Sequence, residues 1–213
     1  MNRVIAIDGP AGAGKSTVAK ILARRLGLRY LDTGAMYRAV ALLATRAGLQ
    51  PEDGAEAARL AEQAEITFGH GDPQPVLVNG EDITSLIRTP EISELASALS
   101  AHSALRQVLV ARQKELIQTG DWILEGRDTT TVVAPHATVK VFLTASLEER
   151  AKRRSLELGR EDVSELTRMI SERDHRDYTR EDSPLTMSPD AHRLETFGLS
   201  AEEVANRIAA LLP

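Results

Sequence analysis

Cysteine is absent from the 213 residues, so neither a disulfide framework nor a thiolate-bound metal is available. Long apolar runs are missing as well. The start offers only Val4 to Ile7, too short for a signal-peptide core, and no stretch approaches the roughly 18 apolar residues of a membrane span. A cytoplasmic protein is the expectation. An excess of positive charge is also lacking: the formal net charge is −5, which argues against a nucleic-acid binder. Basic residues in any anion site must therefore be concentrated locally. The five histidines (His70, His102, His136, His175 and His192) are scattered with no metal-ligand spacing. Aromatics are scarce, at 3%. No internal repeat or low-complexity segment is present.

What is present begins at Val4-Ile5-Ala6-Ile7-Asp8, an apolar, β-branched run that reads as a buried strand. It breaks into Gly9-Pro10-Ala11-Gly12-Ala13-Gly14-Lys15-Ser16-Thr17, which has the G-x-x-x-x-G-K-[ST] spacing, and a helical pattern follows. Glycines let backbone N–H groups turn inward toward phosphate oxygens, and the helix adds the positive end of its dipole. Lys15 can reach the outer phosphates of a nucleoside triphosphate, and the Ser16 hydroxyl can hold Mg²⁺.

Beyond the loop, strand patterns recur at Arg29–Asp32, Trp122–Gly126, Val139–Leu143 and near His192 to Thr196, alternating with helical ones. This predicts an α/β fold, a parallel five-stranded sheet flanked by helices. A small antiparallel excursion is expected around 65–83, with Asn79-Gly80 as a tight hairpin turn; a surface ornament is the plainer account of it. Two helices joined around Gly159 are expected between Ser146 and Tyr178. Ligands of such sheets sit beyond the carboxyl ends of the strands. The phosphate loop, Asp32 to Arg38, and Arg127-Asp128 all fall there.

Arginines Arg38, Arg106, Arg127, Arg173 and Arg180 stand at strand ends or on helices able to face one crevice. Arg173, Asp177 and Arg180, at i, i+4 and i+7, share one helix face, and Glu149 can pair with Arg153. Solvated salt-bridge ladders are the plainer account of both groups. Fixed guanidinium groups and Mg²⁺, however, are what phosphoryl transfer requires, and an acceptor that is already a phosphate needs no strong base. A nucleotide switch would have no reason for such a crevice, and the N-K-x-D base-reading motif of guanine switches is absent. Another small-molecule kinase on this scaffold, with a UMP or AMP acceptor, stays an alternative.

The chain resembles the bacterial cytidylate kinases in Gly9 through Thr17, Leu31-Asp32-Thr33-Gly34-Ala35-Met36-Tyr37-Arg38, Asn79 through Thr84, Ile87-Arg88-Thr89-Pro90, Gly126-Arg127-Asp128, Arg173 through Arg180, and Pro184-Leu185. The likeness spans nearly the whole length in order. It implies a P-loop core over 1–33 and 121–213, and a monophosphate-binding region over 34–120. It implies γ-phosphate transfer from ATP to CMP or dCMP with Mg²⁺, by a monomer acting on small nucleotides. Ser97, Arg106 and Asp128 would read cytosine. Arg38, Arg127 and Arg180 would hold the acceptor phosphate, and Arg173 with Asp177 the sugar hydroxyls; Thr33 joins the substrate-binding set. A short lid near 146–163 would bring Arg150, Arg153 and Arg154 to the ATP phosphates. Lys15, Arg127, Arg153 and Arg180 are the expected catalytic residues.

A carboxylate at Asp128 suits cytosine's exocyclic amine, whereas uracil offers a carbonyl there; a structural cap on the turn is the alternative role. The chain departs from the family at Thr130, where a glycine is usual, so a backbone needing positive φ would be strained. It departs again at Glu195-Thr196-Phe197-Gly198, where an aspartate is usual, which bears on the adenine side.

Overall fold

The computed structural model describes residues 2–159 and 162–213. Arg160 and Glu161, inside the segment expected as a lid, lie outside the described residues. In chain order the elements are β1 (Val4–Asp8), α1 (Lys15–Leu26), β2 (Arg29–Asp32), α2 (Thr33–Arg46), α3 (Gly54–Gln63), β3 (Ile66–Phe68), β4 (Val76–Val78) and β5 (Glu81–Asp82). Then follow α4 (Pro90–Leu99), α5 (Ser103–Leu116), β6 (Trp122–Gly126), β7 (Val139–Thr144), α6 (Leu147–Leu158), α7 (Val163–Thr179), β8 (His192–Glu195) and α8 (Ala201–Ala209). The chain divides into two units, Met1–Leu31 with Leu116–Pro213, and Asp32–Glu115.

The first unit is built on the expected five-stranded parallel sheet, in the order β2-β6-β1-β7-β8. β1 is central, and Ile5, Ile7, Ile123, Val141 and Leu143 pack with Val18 and Leu22 of α1 and Val204 and Ile208 of α8 in one core. Burial on both faces explains why these strands read as continuous apolar runs rather than alternating ones. Register decides what comes next. Asp8 lies opposite Gly126 on one side and Phe142 on the other, so the chain leaves all three strands at one edge. Local signals stop the helices: Gly27 ends α1 at φ 66°, its N–H bonding the Ala23 carbonyl. At α8, Ser200 and Glu203 close a capping box.

The second unit packs α2 against α4, with Met36, Val40, Ile83, Ile87, Leu99, Leu105 and Leu109 buried. Its β3-β4-β5 sheet is antiparallel. Asn79 (φ 50°) and Gly80 (φ 83°) both take positive φ, as a two-residue hairpin turn demands. Thr89 caps α4, accepting from the Ile92 N–H, with Pro90 in the first turn where its missing N–H costs nothing.

One expectation about α7 is corrected. Arg173 and Asp177 lie on the helix, but Arg180 does not continue it, having an extended backbone (φ −60°, ψ 144°). The chain turns back through Ser183 (φ 50°), and the Leu185 N–H bonds the Asp177 carbonyl at 2.7 Å.

Candidate active site

The loop from Gly9 to Gly14 joins β1 to α1. Its shape depends on two glycines in particular. A Cβ on Gly9 (φ 150°) would lie 2.0 Å from the Leu143 carbonyl oxygen of β7. Gly14 caps α1 in the left-handed conformation, at φ 91°. Lys15 is buried and folds back over the loop, its Nζ donating to the Gly9 and Pro10 carbonyls at 2.8 Å each. Burial, together with the positive charges of Arg127 and Arg173, lowers the Lys15 pKa to about 7, against the pull of Glu125 and Asp8. The Ser16 side chain stands exposed in the first turn, with Thr17 beside it.

A brace holds the loop from behind. Asp174 of α7 accepts from the Ala11 N–H at 3.2 Å and from Arg150 Nη1 at 2.6 Å, and the same Nη1 donates to the Ala11 carbonyl at 2.9 Å. Arg150 Nε also donates to the Ala145 carbonyl at 3.1 Å. Its guanidinium is thus engaged with protein groups on three sides. Arg153, one turn on, donates from Nε to Glu149 and from Nη1 and Nη2 to the Thr196 hydroxyl and carbonyl at 2.9 and 3.0 Å. Its Nη1 lies 3.8 Å from where a Gly14 Cβ would stand. Thr196, in the departing Glu195–Gly198 stretch, donates to the Thr144 carbonyl at the end of β7 at 3.2 Å, with the Ala13 carbonyl of the loop at 3.5 Å. Arg154 pairs with Glu157 on the outer face of α6.

Arg127 and Asp128 follow β6, beside Gly9 by register. Arg127 Nε donates to Asp177 Oδ2 at 2.7 Å, and Arg180 Nη1 stands 3.5 Å from Asp177 Oδ1 while its Nε binds the Ser183 carbonyl. Burial alone would raise the Asp177 pKa, but the guanidinium groups of Arg127, Arg173 and Arg180 outweigh it and hold the carboxyl below the usual range. The structure thus brings Lys15, Arg127, Arg173, Asp177 and Arg180 into one electrostatic network, with Lys15, Asp177 and Arg180 buried and Arg127 and Arg173 half-buried. Asp128 is buried at the start of a π-helical turn, Thr129–Val133. Thr130 lies within that turn, and among the described non-glycine residues positive φ occurs at Asn79 and Ser183, so the threonine carries no such strain.

In the second unit, Asp32 caps α2, accepting from the Ala35 N–H at 2.9 Å and from Arg38 Nη2 at 2.7 Å. Burial acts to raise its pKa, but Arg38 prevails and lowers it. Thr33 is buried in the first turn of α2. Ser97 is buried on α4, and Arg106 on α5 lies over the Tyr37 ring at 5.6 Å and donates to the Ser100 carbonyl at 3.2 Å. The sequence gives Asp8 and Asp174 no role, and it places Asp32 and Tyr37 in the stretch from Asp32 to Arg38 beyond a strand end without a role of their own. Asp32 carried a readable signal, a helix-capping residue six positions before an arginine; Asp8 and Asp174 act through residues far along the chain.

Against known proteins, a family model described as cytidylate kinase matches residues 5–213. A cytidylate kinase of Listeria welshimeri is 47% identical over 97% of this chain and 94% of its own. One of Carboxydothermus hydrogenoformans is 49% identical over 98% and 96%. A bifunctional pantoate ligase/cytidylate kinase of a Synechococcus species is 46% identical over 98% of this chain and 44% of its own. Among solved structures, a gluconokinase from Sinorhizobium meliloti superposes with TM-score 0.53 at 15% identity, covering 98% of this chain and 91% of that one. A shikimate kinase from Bacteroides thetaiotaomicron gives 0.50 at 14% identity, covering 98% and 97%. These two speak to the fold alone. With the family model running from β1 to the last residue, the chain belongs to the cytidylate kinase family.

Proposed function

We propose that this enzyme transfers the γ-phosphate of ATP to CMP or dCMP, giving ADP and CDP or dCDP. The observation that carries the reading is the network of arginines around the buried Asp177, which the end of β6 brings beside the phosphate loop. Guanidinium groups fixed at one place are suited to anions that repel each other, the outer phosphates of the donor and the phosphate of the acceptor.

In this reading the donor phosphates lie on the N–H groups of residues 9–17. Lys15 exchanges its two loop carbonyls for phosphate oxygens, whose charge favours its protonated form. Arg153 serves from its place beside Gly14, and Arg150 and Arg154 support the donor side. Arg38, Arg127 and Arg180 bind the acceptor phosphate, Arg173 and Asp177 the sugar hydroxyls, and Ser97, Arg106 and Asp128 the cytosine; Thr33 supports the substrate from the start of α2. Asp128 accepts from the exocyclic amine, and a uracil carbonyl at that place would set acceptor against acceptor. No general base is required, because the attacking oxygen is already anionic. Residues 146–163 act as the lid, 1–33 with 121–213 as the core, and 34–120 as the monophosphate-binding region.

The donor set fits Mg²⁺ held chiefly by the nucleotide. Among the described residues no cluster of three or more His, Cys, Asp or Glu is placed to bind a metal, and both Asp8 oxygens are already filled by threonine donors. Ser16 would supply the protein ligand, as Mg²⁺ bound through phosphates and few side chains allows. When bound, the ion neutralises charge on the phosphates. Among the described residues, no helix is long and apolar enough to cross a membrane. We read the enzyme as a cytoplasmic monomer acting on small nucleotides and not on nucleic acid. A panel of CMP, dCMP, UMP, AMP and GMP in an assay of ADP release tests the acceptor; CMP and dCMP should be used far better than the other three. Light scattering tests the monomer.

A further inference from the structure

Asp8 ends β1 with its carboxylate fully buried, yet no step of the phosphoryl transfer uses it. Its Oδ1 accepts from the Thr129 N–H at 2.9 Å and the Thr129 hydroxyl at 2.7 Å. Its Oδ2 accepts from the Thr130 N–H at 2.7 Å and the Thr130 hydroxyl at 2.6 Å. These donors saturate the carboxylate, and both threonines are themselves buried. They open the π-helical turn whose Val132 and Val133 N–H groups bond the Asp128 carbonyl at 2.9 and 3.2 Å. One carboxylate, adjoining Gly9, therefore anchors the turn that begins at Asp128. A glycine at 130 would supply only the backbone donor. Threonine adds a second, on a side chain with few rotamers. Burial raises the Asp8 pKa above the usual carboxylate value and the charge of Asp128 adds to the rise, while the hydrogen bonds from Thr130 and Thr129 offset part of it.

We propose that Asp8, through Thr129 and Thr130, is a positioning residue for base recognition: it fixes the turn that aims Asp128 and so sets the preference for CMP over UMP without touching either nucleotide. The proposal rests on the reading of Asp128 as the residue that meets the cytosine amine.

The test compares kcat/KM for CMP and UMP in the wild type, Thr130→Val, Thr130→Ser and Asp128→Asn, with KM for ATP measured alongside. Thr130→Val keeps the shape and removes only the hydroxyl. It should lower the CMP-to-UMP ratio about tenfold while the ATP KM stays within about twofold, and Thr130→Ser should restore the ratio to within about twofold of wild type. Should Thr130→Val not fold, Thr129→Ala carries the same expectation through Oδ1. A merely structural hydroxyl would lower Tm and leave the ratio alone. An unchanged ratio in Thr130→Val beside a lowered one in Asp128→Asn overturns the positioning role and leaves the reading of Asp128 standing. Equal rises in the CMP and ATP KM values overturn it too. An unchanged ratio in Asp128→Asn removes the reading of Asp128, and the positioning role with it.

Discussion

Arg127 and Asp177 form an ion pair at 2.7 Å with both side chains largely withdrawn from water, joining the end of β6 to the last turn of α7. Arg173 and Arg180 press on the same carboxylate, so one anion faces three cations. Withdrawing such a pair from water is itself costly, but removing one partner is strongly destabilising, because the partner left behind is a charge without compensation.

Asp177→Asn should therefore destabilise the protein by about 3 kcal/mol at pH 7. The pH dependence follows from the lowered pKa of Asp177. A carboxyl whose folded value lies below its unfolded one contributes stability that is fully present above the unfolded value, here the ordinary 3.8, and is lost as pH falls through the folded value. The gap between wild type and Asp177→Asn in urea unfolding should be constant from pH 7 to about pH 5 and narrow only below the ordinary Asp value. A gap that closes at neutral pH would contradict the pairing.

Lys15→Ala should lower kcat/KM by about 10³ or more with the fold retained, since the lysine acts through charge on the phosphates. Its burial already opposes its charge, so Tm should not fall. Circular dichroism and an assay of ADP release check the two halves; near-normal turnover would sink the assignment of the cradle.

Asp128→Asn should raise the KM for CMP by about tenfold or more while changing that for ATP by less than about threefold, because an amide no longer offers only acceptors to the cytosine amine. Unchanged CMP and UMP kinetics would assign Asp128 to capping its turn and nothing more.

Two glycines separate steric from conformational demand. Gly9→Ala forces a Cβ to within 2.0 Å of the Leu143 carbonyl oxygen, and should cost at least about 3 kcal/mol or prevent folding. Gly159, at φ 60° with no atom near its missing Cβ, should lose only about 1 kcal/mol as alanine. Thermal unfolding of the two variants side by side makes the comparison, and equal losses would show that contact with β7 does not restrict the loop.

The phosphate loop, the sheet strands, the Asn79-Gly80 turn and the Glu149–Arg153 pair are legible in the sequence because each is specified by neighbours within a few residues. Asp8 with Thr129 and Thr130, and Asp174 with Arg150, are not. Their partners lie 121, 122 and 24 residues away, and only parallel register and the packing of α6 on α7 bring them together. Periodicity places Arg180 one step too far along α7, because helical spacing carries no record of the turn at Ser183 that ends it. The resemblance to a family with glycine at 130 suggests backbone strain. The π-helical turn needs no positive φ there, and instead uses the threonine hydroxyl.

The central claim is that two anionic nucleotides are held with their phosphates together by Lys15 and the arginines around Asp177. Its most direct measurement is the rate of ADP release by purified enzyme with ATP and Mg²⁺, before and after CMP is added. A rise of at least about a hundredfold with CMP, and little with AMP or GMP, is the expected result. A slow release indifferent to CMP would contradict the account.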